Sequence, residues 1–244
     1  MKHLKKVGVA LACLALLSGC GGGGGGGGTG GDSIPVSAQG FWSGSNGVGE
    51  DFLMAVLPSG ETWFVGTRNE RLSYIIQGAS SAVNGGQFTV NNARRVVLDP
   101  AWASTASFLT GTLNSADRLT VNGTALSFDT SYNTPLTFMD VADSYSTSGV
   151  SRFGQSPNAT VTISAGGEVS ATNLGGNCTA AGTLTATGKG VMSLSLTFNG
   201  SACSMGNGTT TRGIVVYDAE DRMFTAFSFN ADLSDGFIAV GERR

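Results

Sequence analysis

Histidine is all but missing from this sequence. The 244-residue chain has one, His3, in a stretch that reads as an export leader. Without another imidazole there is no Ser-His-Asp or Cys-His mechanism and no histidine ligand for zinc or haem. Lysine is nearly as scarce. Beyond Lys2, Lys5 and Lys6 the chain has Lys189 alone, in Gly188-Lys-Gly190, which reads as an exposed turn. A Schiff-base or Ser-Lys mechanism would rest entirely on that residue. Charge is thin too, at 13% of residues. Without residues 1–19 the chain holds 11 basic and 17 acidic residues, a net charge of −6. Arg94-Arg95 and Arg243-Arg244 are pairs rather than patches, so nucleic-acid binding is not expected. No cofactor or metal site is implied.

The 38 glycines, with many Ser, Thr and Asn residues, fit an exported β-protein, and the 41% hydrophobic content suffices for a core. Met1-Lys-His-Leu-Lys-Lys6 is a positive n-region, and Val7–Leu17 is an apolar run of 11 residues. A helix crossing a bilayer core of about 30 Å needs about 20 residues, so residues 1–19 read as a signal peptide and not as an anchor.

The run ends in Leu17-Ser18-Gly19-Cys20, which resembles the lipobox of bacterial lipoproteins: a branched apolar residue, two small ones, then cysteine. The resemblance implies a diacylglycerol on Cys20, cleavage before it, and acylation of the new amine by a fatty chain such as palmitate. Two or more chains anchor stably where one does not. Gly21, where inner-membrane lipoproteins of enterobacteria carry aspartate, implies the outer membrane; which face is left open.

Gly21–Gly28 is unbroken glycine, followed by Thr29-Gly-Gly31. It lacks the preceding strand and following helix of a phosphate loop, so residues 20–39 read as a flexible tether behind the lipid. About 12 such residues span roughly 17–21 Å r.m.s..

From Gly40 to Arg244 the period is two, and no window shows a helical repeat. Met192-Ser-Leu-Ser-Leu-Thr-Phe198 alternates without a fault, as a half-buried antiparallel strand does. Five Asn-Gly pairs, at Asn46, Asn84, Asn122, Asn199 and Asn207, favour tight hairpins. Further hairpins fall at Pro58-Ser-Gly60, Ala165-Gly-Gly167 and Ala219-Glu-Asp221. Ser131–Val141 is the least strand-like segment and accommodates a turn or short helix. A dozen or more short strands predict an all-β fold, an antiparallel meander closing into a small β-barrel. The hairpin Val56–Trp63 echoes Ile163–Val169, so residues 40–244 make one barrel or two β-units with a seam near 140–149.

Gly40-Phe-Trp-Ser-Gly44, the hairpin-then-glycine pattern and Phe237-Ile-Ala-Val-Gly241 together resemble the proteobacterial barrel lipoproteins related to transferrin-binding proteins. Gly40-Phe41-Trp42 is also similar to the Gly-x-Trp that opens lipocalin barrels. Both resemblances imply a small antiparallel barrel and carry no ligand with them.

Cys178 and Cys203 are the even pair left in an oxidising compartment, and a disulfide is expected of them. Acidic candidates for two-carboxylate hydrolysis are Glu50-Asp51, Asp140 with Asp143, and Asp218-Glu220-Asp221. The last reads as a hairpin tip and lacks the alternating pattern of a calcium loop. Trp63 reads as core, and Trp102 as the most exposed of the three tryptophans. The chain therefore reads as a non-enzymatic outer-membrane lipoprotein whose β-domain binds an unidentified macromolecule or small ligand. The alternatives are a carboxylate-based hydrolase of envelope polysaccharide and a structural envelope protein.

Overall fold

The computed structural model describes residues 37–69, 71–97, 102–152 and 154–244. The leader, Cys20 and the glycine tract lie outside the described residues. Among these, the chain from 40 to 129 forms β1 (Gly40–Ser45), β2 (Glu50–Val56), β3 (Thr62–Arg68), β4 (Arg71–Gly78), β5 (Ser80–Asn84), β6 (Gln87–Asn91), β7 (Arg94–Val97), β8 (Ala103–Ala106), β9 (Leu109–Ser115), β10 (Arg118–Val121) and β11 (Thr124–Asp129). They make one open sheet in the order β5-β6-β9-β10-β11-β1-β2-β3-β4-β7-β8, curled into a half-barrel. Gly78, at the end of β4, faces Val90 of β6 so closely that a Cβ would overlap the valine side chain.

A 3-10 turn (Thr130–Asn133) and the short helix α1 (Phe138–Val141) occupy the segment expected to be least strand-like. Then come β12 (Asp143–Ser151), β13 (Gly154–Ile163), β14 (Glu168–Thr172), β15 (Thr179–Ala186), β16 (Val191–Asn199), β17 (Thr210–Asp218), β18 (Met223–Phe229) and β19 (Gly236–Arg243). These eight strands form a closed antiparallel meander, sealed by β12 pairing with β19 from Tyr145↔Arg243 to Ser151↔Phe237. The expected all-β barrel is present, and the open sheet precedes it. Gly40-Phe41-Trp42 opens that sheet, whereas Phe237–Gly241 lies in the strand that closes the barrel.

Turn chemistry accounts for two of the Asn-Gly pairs as tight hairpins. Asn122 and Gly123 both have positive φ (47° and 84°) between β10 and β11, as a type I′ turn requires. Asn84 closes β5 before Gly85-Gly86, with Asn84 opposite Gln87. Asn199 and Asn207 depart from the expectation: both belong to the longer loop between β16 and β17, and the Asn207 side chain accepts from Gly200 N at 2.9 Å.

Burial follows the alternation in β16, where Met192, Leu194, Leu196 and Phe198 turn into the barrel. Alternation fails in β2, β3, β17 and β18, because both faces of these strands are covered. One face of the half-barrel packs on itself through Trp42, Phe52, Met54, Phe64 and Leu126. The opposite face presents Ala55, Trp63, Val65 and Ile75 to the outer wall of the barrel, where Val191, Ile214, Phe227, Phe229 and Ile238 receive them. Trp63 stacks on Phe229 with ring centres 5.5 Å apart and planes at 11°. Each large apolar side chain buried at such a joint contributes about 1.5–3 kcal/mol. Tyr132 fastens the linker to the joint: its hydroxyl donates to the Val56 carbonyl at 3.0 Å, and its ring meets Phe41 edge-on.

Candidate functional site: two hollows

Beside the packed joint, the two sheets diverge into a cleft of about 490 Å³. Its apolar floor comes from Phe41, Leu53 and Trp63 on the half-barrel and from Ile214, Val216 and Phe227 on the barrel wall. These positions are the outward halves of strands whose inward halves build the two cores. Among the described residues, every charged one on its lining is acidic: Asp129, Asp218, Glu220 and Asp221.

The rim is shaped by the turn from β17 to β18. The Asp218 carboxylate accepts from the backbone N–H of Glu220 at 2.9 Å and of Asp221 at 3.1 Å. Asp218 thus holds the turn, while the Glu220 and Asp221 side chains stand exposed. Lys189 leans over the Tyr132 ring, 5.4 Å from its centre, and reaches Asn133 Oδ1 at 3.3 Å. Its turn, at Gly188-Lys-Gly190, is where the sequence puts it.

Of the other acidic candidates, Asp51 is exposed on β2, whereas Glu50, Asp140 and Asp143 are held in local contacts. Glu50 accepts from Asn46 Nδ2 at 2.6 Å and lies 3.9 Å from Arg68. Asp143 is ion-paired with Arg243 at 2.6 Å. Asp140 accepts from the Thr137 backbone N–H and hydroxyl at the start of α1, both at 2.7 Å, and these bonds hold its carboxyl below the usual range. The structure therefore gathers Asp218, Glu220 and Asp221 on one lining and adds Asp129, which the sequence did not single out. Among the described residues no group of three or more His, Cys, Asp or Glu is arranged to hold a metal ion.

A second, smaller hollow of about 90 Å³ lies inside the closed barrel. One end is stopped by Val141 and Phe138 of α1 with Tyr145, whose hydroxyl donates to Val141 O at 2.7 Å. The other end meets solvent near Val150, 37% exposed, and the exposed Ser204. The disulfide between Cys178 and Cys203 is formed there, with Cα atoms 4.7 Å apart. It pins the loop between β16 and β17 against the start of β15, so that Cys178, Ser204 and Met205 line this hollow.

Trp63 is core, as expected; its Nε1 donates to Glu61 Oε1 at 3.0 Å. Trp102 is the least buried of the tryptophans, yet it also packs, edge-on to Phe229 at 5.7 Å.

No protein-family model matches the sequence, and no curated protein matches it. Two solved structures are similar to it. Aeromonas veronii immune modulator A aligns over 86% of this chain and 96% of its own, with 11% identity and a TM-score of 0.39. A double mutant of the vaccine antigen transferrin binding protein B from Haemophilus parasuis aligns over 80% of this chain and 65% of its own, with 7% identity and a TM-score of 0.29.

Proposed function

We propose that the chain is a lipid-anchored, non-enzymatic binding module of the outer membrane, whose cleft between half-barrel and barrel takes a ligand with an apolar body and a positive charge. The anchor is lipid on Cys20, and the glycine tether lets the domain reorient above the membrane. The observation that carries the binding reading is the cleft itself. Its volume of about 490 Å³ falls within the roughly 300–1,000 Å³ of small-molecule sites. An aromatic floor under a rim of carboxylates, with no basic residue among the described lining residues, favours a cation over an anion of the same shape.

The test is a matched pair of probes titrated calorimetrically into the full chain carrying Cys20→Ser. Tetraphenylphosphonium and tetraphenylborate have nearly the same shape and opposite charge. Saturable binding of the cation, weakened in the triple variant Asp218→Asn, Glu220→Gln, Asp221→Asn, is the expected result. Equal binding of both ions, or none of the cation, contradicts the proposal.

A further inference from the structure

Three inward-facing hydroxyls of the barrel, those of Thr147, Thr211 and Ser228, are buried without a hydrogen-bond partner among the described residues, and of these Thr147 alone lines the cavity. Thr147 on β12 is 3% exposed. It lies in the inward alternation with Tyr145 and lines the cavity of about 90 Å³. Its Oγ1 has no hydrogen-bond partner among the described residues. A buried hydroxyl without a partner costs free energy, and Thr147 is the one of the three that faces space in which a partner could sit.

The rest of the lining says what would answer it. Ala159, Ala171, Ala180, Ala226 and Ala239 keep the middle of the barrel narrow-walled but unfilled. Among the described residues no Asp, Glu, Lys, Arg or His lines the cavity, so a charged ligand would enter without a counter-charge, at a heavy desolvation cost.

We infer that the barrel is a second binding site, for an uncharged, mainly aliphatic small molecule whose single oxygen hydrogen-bonds the Thr147 hydroxyl. An apolar cavity of about 150 Å³ is known to admit benzene, so this one, at about 90 Å³, encloses a short unbranched alkyl segment of about three carbons. Longer chains leave by the mouth at Val150 and Ser204, beside the disulfide. The site is separated from the cleft by the barrel wall: Ala226 faces inward while its neighbour Phe227 faces the half-barrel. The two sites therefore stand or fall independently.

The test uses the full chain with Cys20→Ser and 1-hexanol as probe, with hexanoate and hexylammonium as charged counterparts and n-pentane as an unbranched guest without an oxygen. Calorimetry is expected to show saturable binding of 1-hexanol and n-pentane and none of the two ions. Thr147→Val keeps the shape and removes the hydroxyl. It is expected to weaken 1-hexanol by about threefold to tenfold, the worth of one hydrogen bond, and to leave n-pentane unchanged. Ala226→Leu fills the cavity and is expected to abolish binding of both neutral guests. If that variant does not fold, Ala239→Val makes a smaller filling and is expected to weaken both. The proposal is overturned if 1-hexanol does not saturate, if the ions bind as well as it does, or if Thr147→Val leaves its affinity unchanged.

Discussion

Replacing Cys178 and Cys203 together by serine opens a closed loop, and the size of the effect follows from the structure. The bond joins residues separated by 25 positions. In the chain-entropy model a loop of that length contributes about 3.5 kcal/mol at 25 °C. For a domain of some two hundred residues each kcal/mol is worth about 2–4 °C, so the melting temperature is expected to fall by roughly 7–14 °C. The location of the tryptophans makes the assay more informative than a single melt. Trp42 and Trp63 lie in strands of the half-barrel and Trp102 immediately precedes one, while the closed barrel has none. Tryptophan fluorescence therefore reports the half-barrel, whereas the disulfide ties a loop of the closed barrel to the start of β15. The buried joint of Trp63 with Phe227 and Phe229 couples the two. Urea unfolding of the double-serine protein, followed by fluorescence and by far-ultraviolet circular dichroism, is expected to show both signals shifted together to a lower midpoint. A loss under about 1 kcal/mol, or a fluorescence midpoint that stays put while the dichroism moves, refutes the reasoning.

Three further perturbations bear on the same architecture. Gly213→Ala places a Cβ against the Phe227 carbonyl and the Ser228 backbone across β17 and β18, neither of which is free to yield. A loss of about 1–3 kcal/mol is expected in urea titrations. Trp63→Ala removes the central ring of the joint and should cost about 3–5 kcal/mol, while lowering tetraphenylphosphonium affinity, since the indole also floors the cleft. Alkali should destabilise the fold. Burial pushes the Tyr132 and Tyr145 phenols up to about 12 from an ordinary value of 10. Folded-state values above the unfolded ones mean that this contribution is complete below pH 10 and is lost as pH rises from 10 towards 12. Thermal melts across that window should fall, and Tyr132→Phe with Tyr145→Phe should flatten the fall.

Much of the fold is legible residue by residue. Ser193, Ser195 and Thr197 alternate with the apolar positions of β16 because the outward face there is free of the joint, and that contrast writes the period of two into the sequence. Asn122-Gly123 announces its hairpin because both residues tolerate positive φ. The same logic falters where burial is two-sided. Phe224–Phe229 reads as a half-buried alternating strand and Phe52–Leu57 as an apolar-rich run, and nothing in either says that one face belongs to a core and the other to a partner sheet. Strand order in the half-barrel is hidden for a different reason. The pairing of β4 with β7 and of β6 with β9 depends on how the sheet curls, not on adjacent turns. The sites were legible only in part. Asp218, Glu220 and Asp221 stand out as a cluster, but Asp129 meets their cleft only after folding. Thr147 sits in Tyr-Ser-Thr-Ser, where a strand threonine looks like any solvated one. The sign that it differs is its parity with Tyr145, and that becomes informative once the barrel is known to close.

The central claim is that the cleft between half-barrel and barrel is a site for apolar cations. Its most direct test is a crystal structure of the full chain carrying Cys20→Ser with tetraphenylarsonium, whose arsenic is located by its anomalous scattering. The account predicts a single strong arsenic peak between the floor of Phe41, Trp63 and Phe227 and the rim of Asp218, Glu220 and Asp221. An empty cleft, or arsenic found elsewhere on the surface, such as at the exposed Phe108, contradicts it.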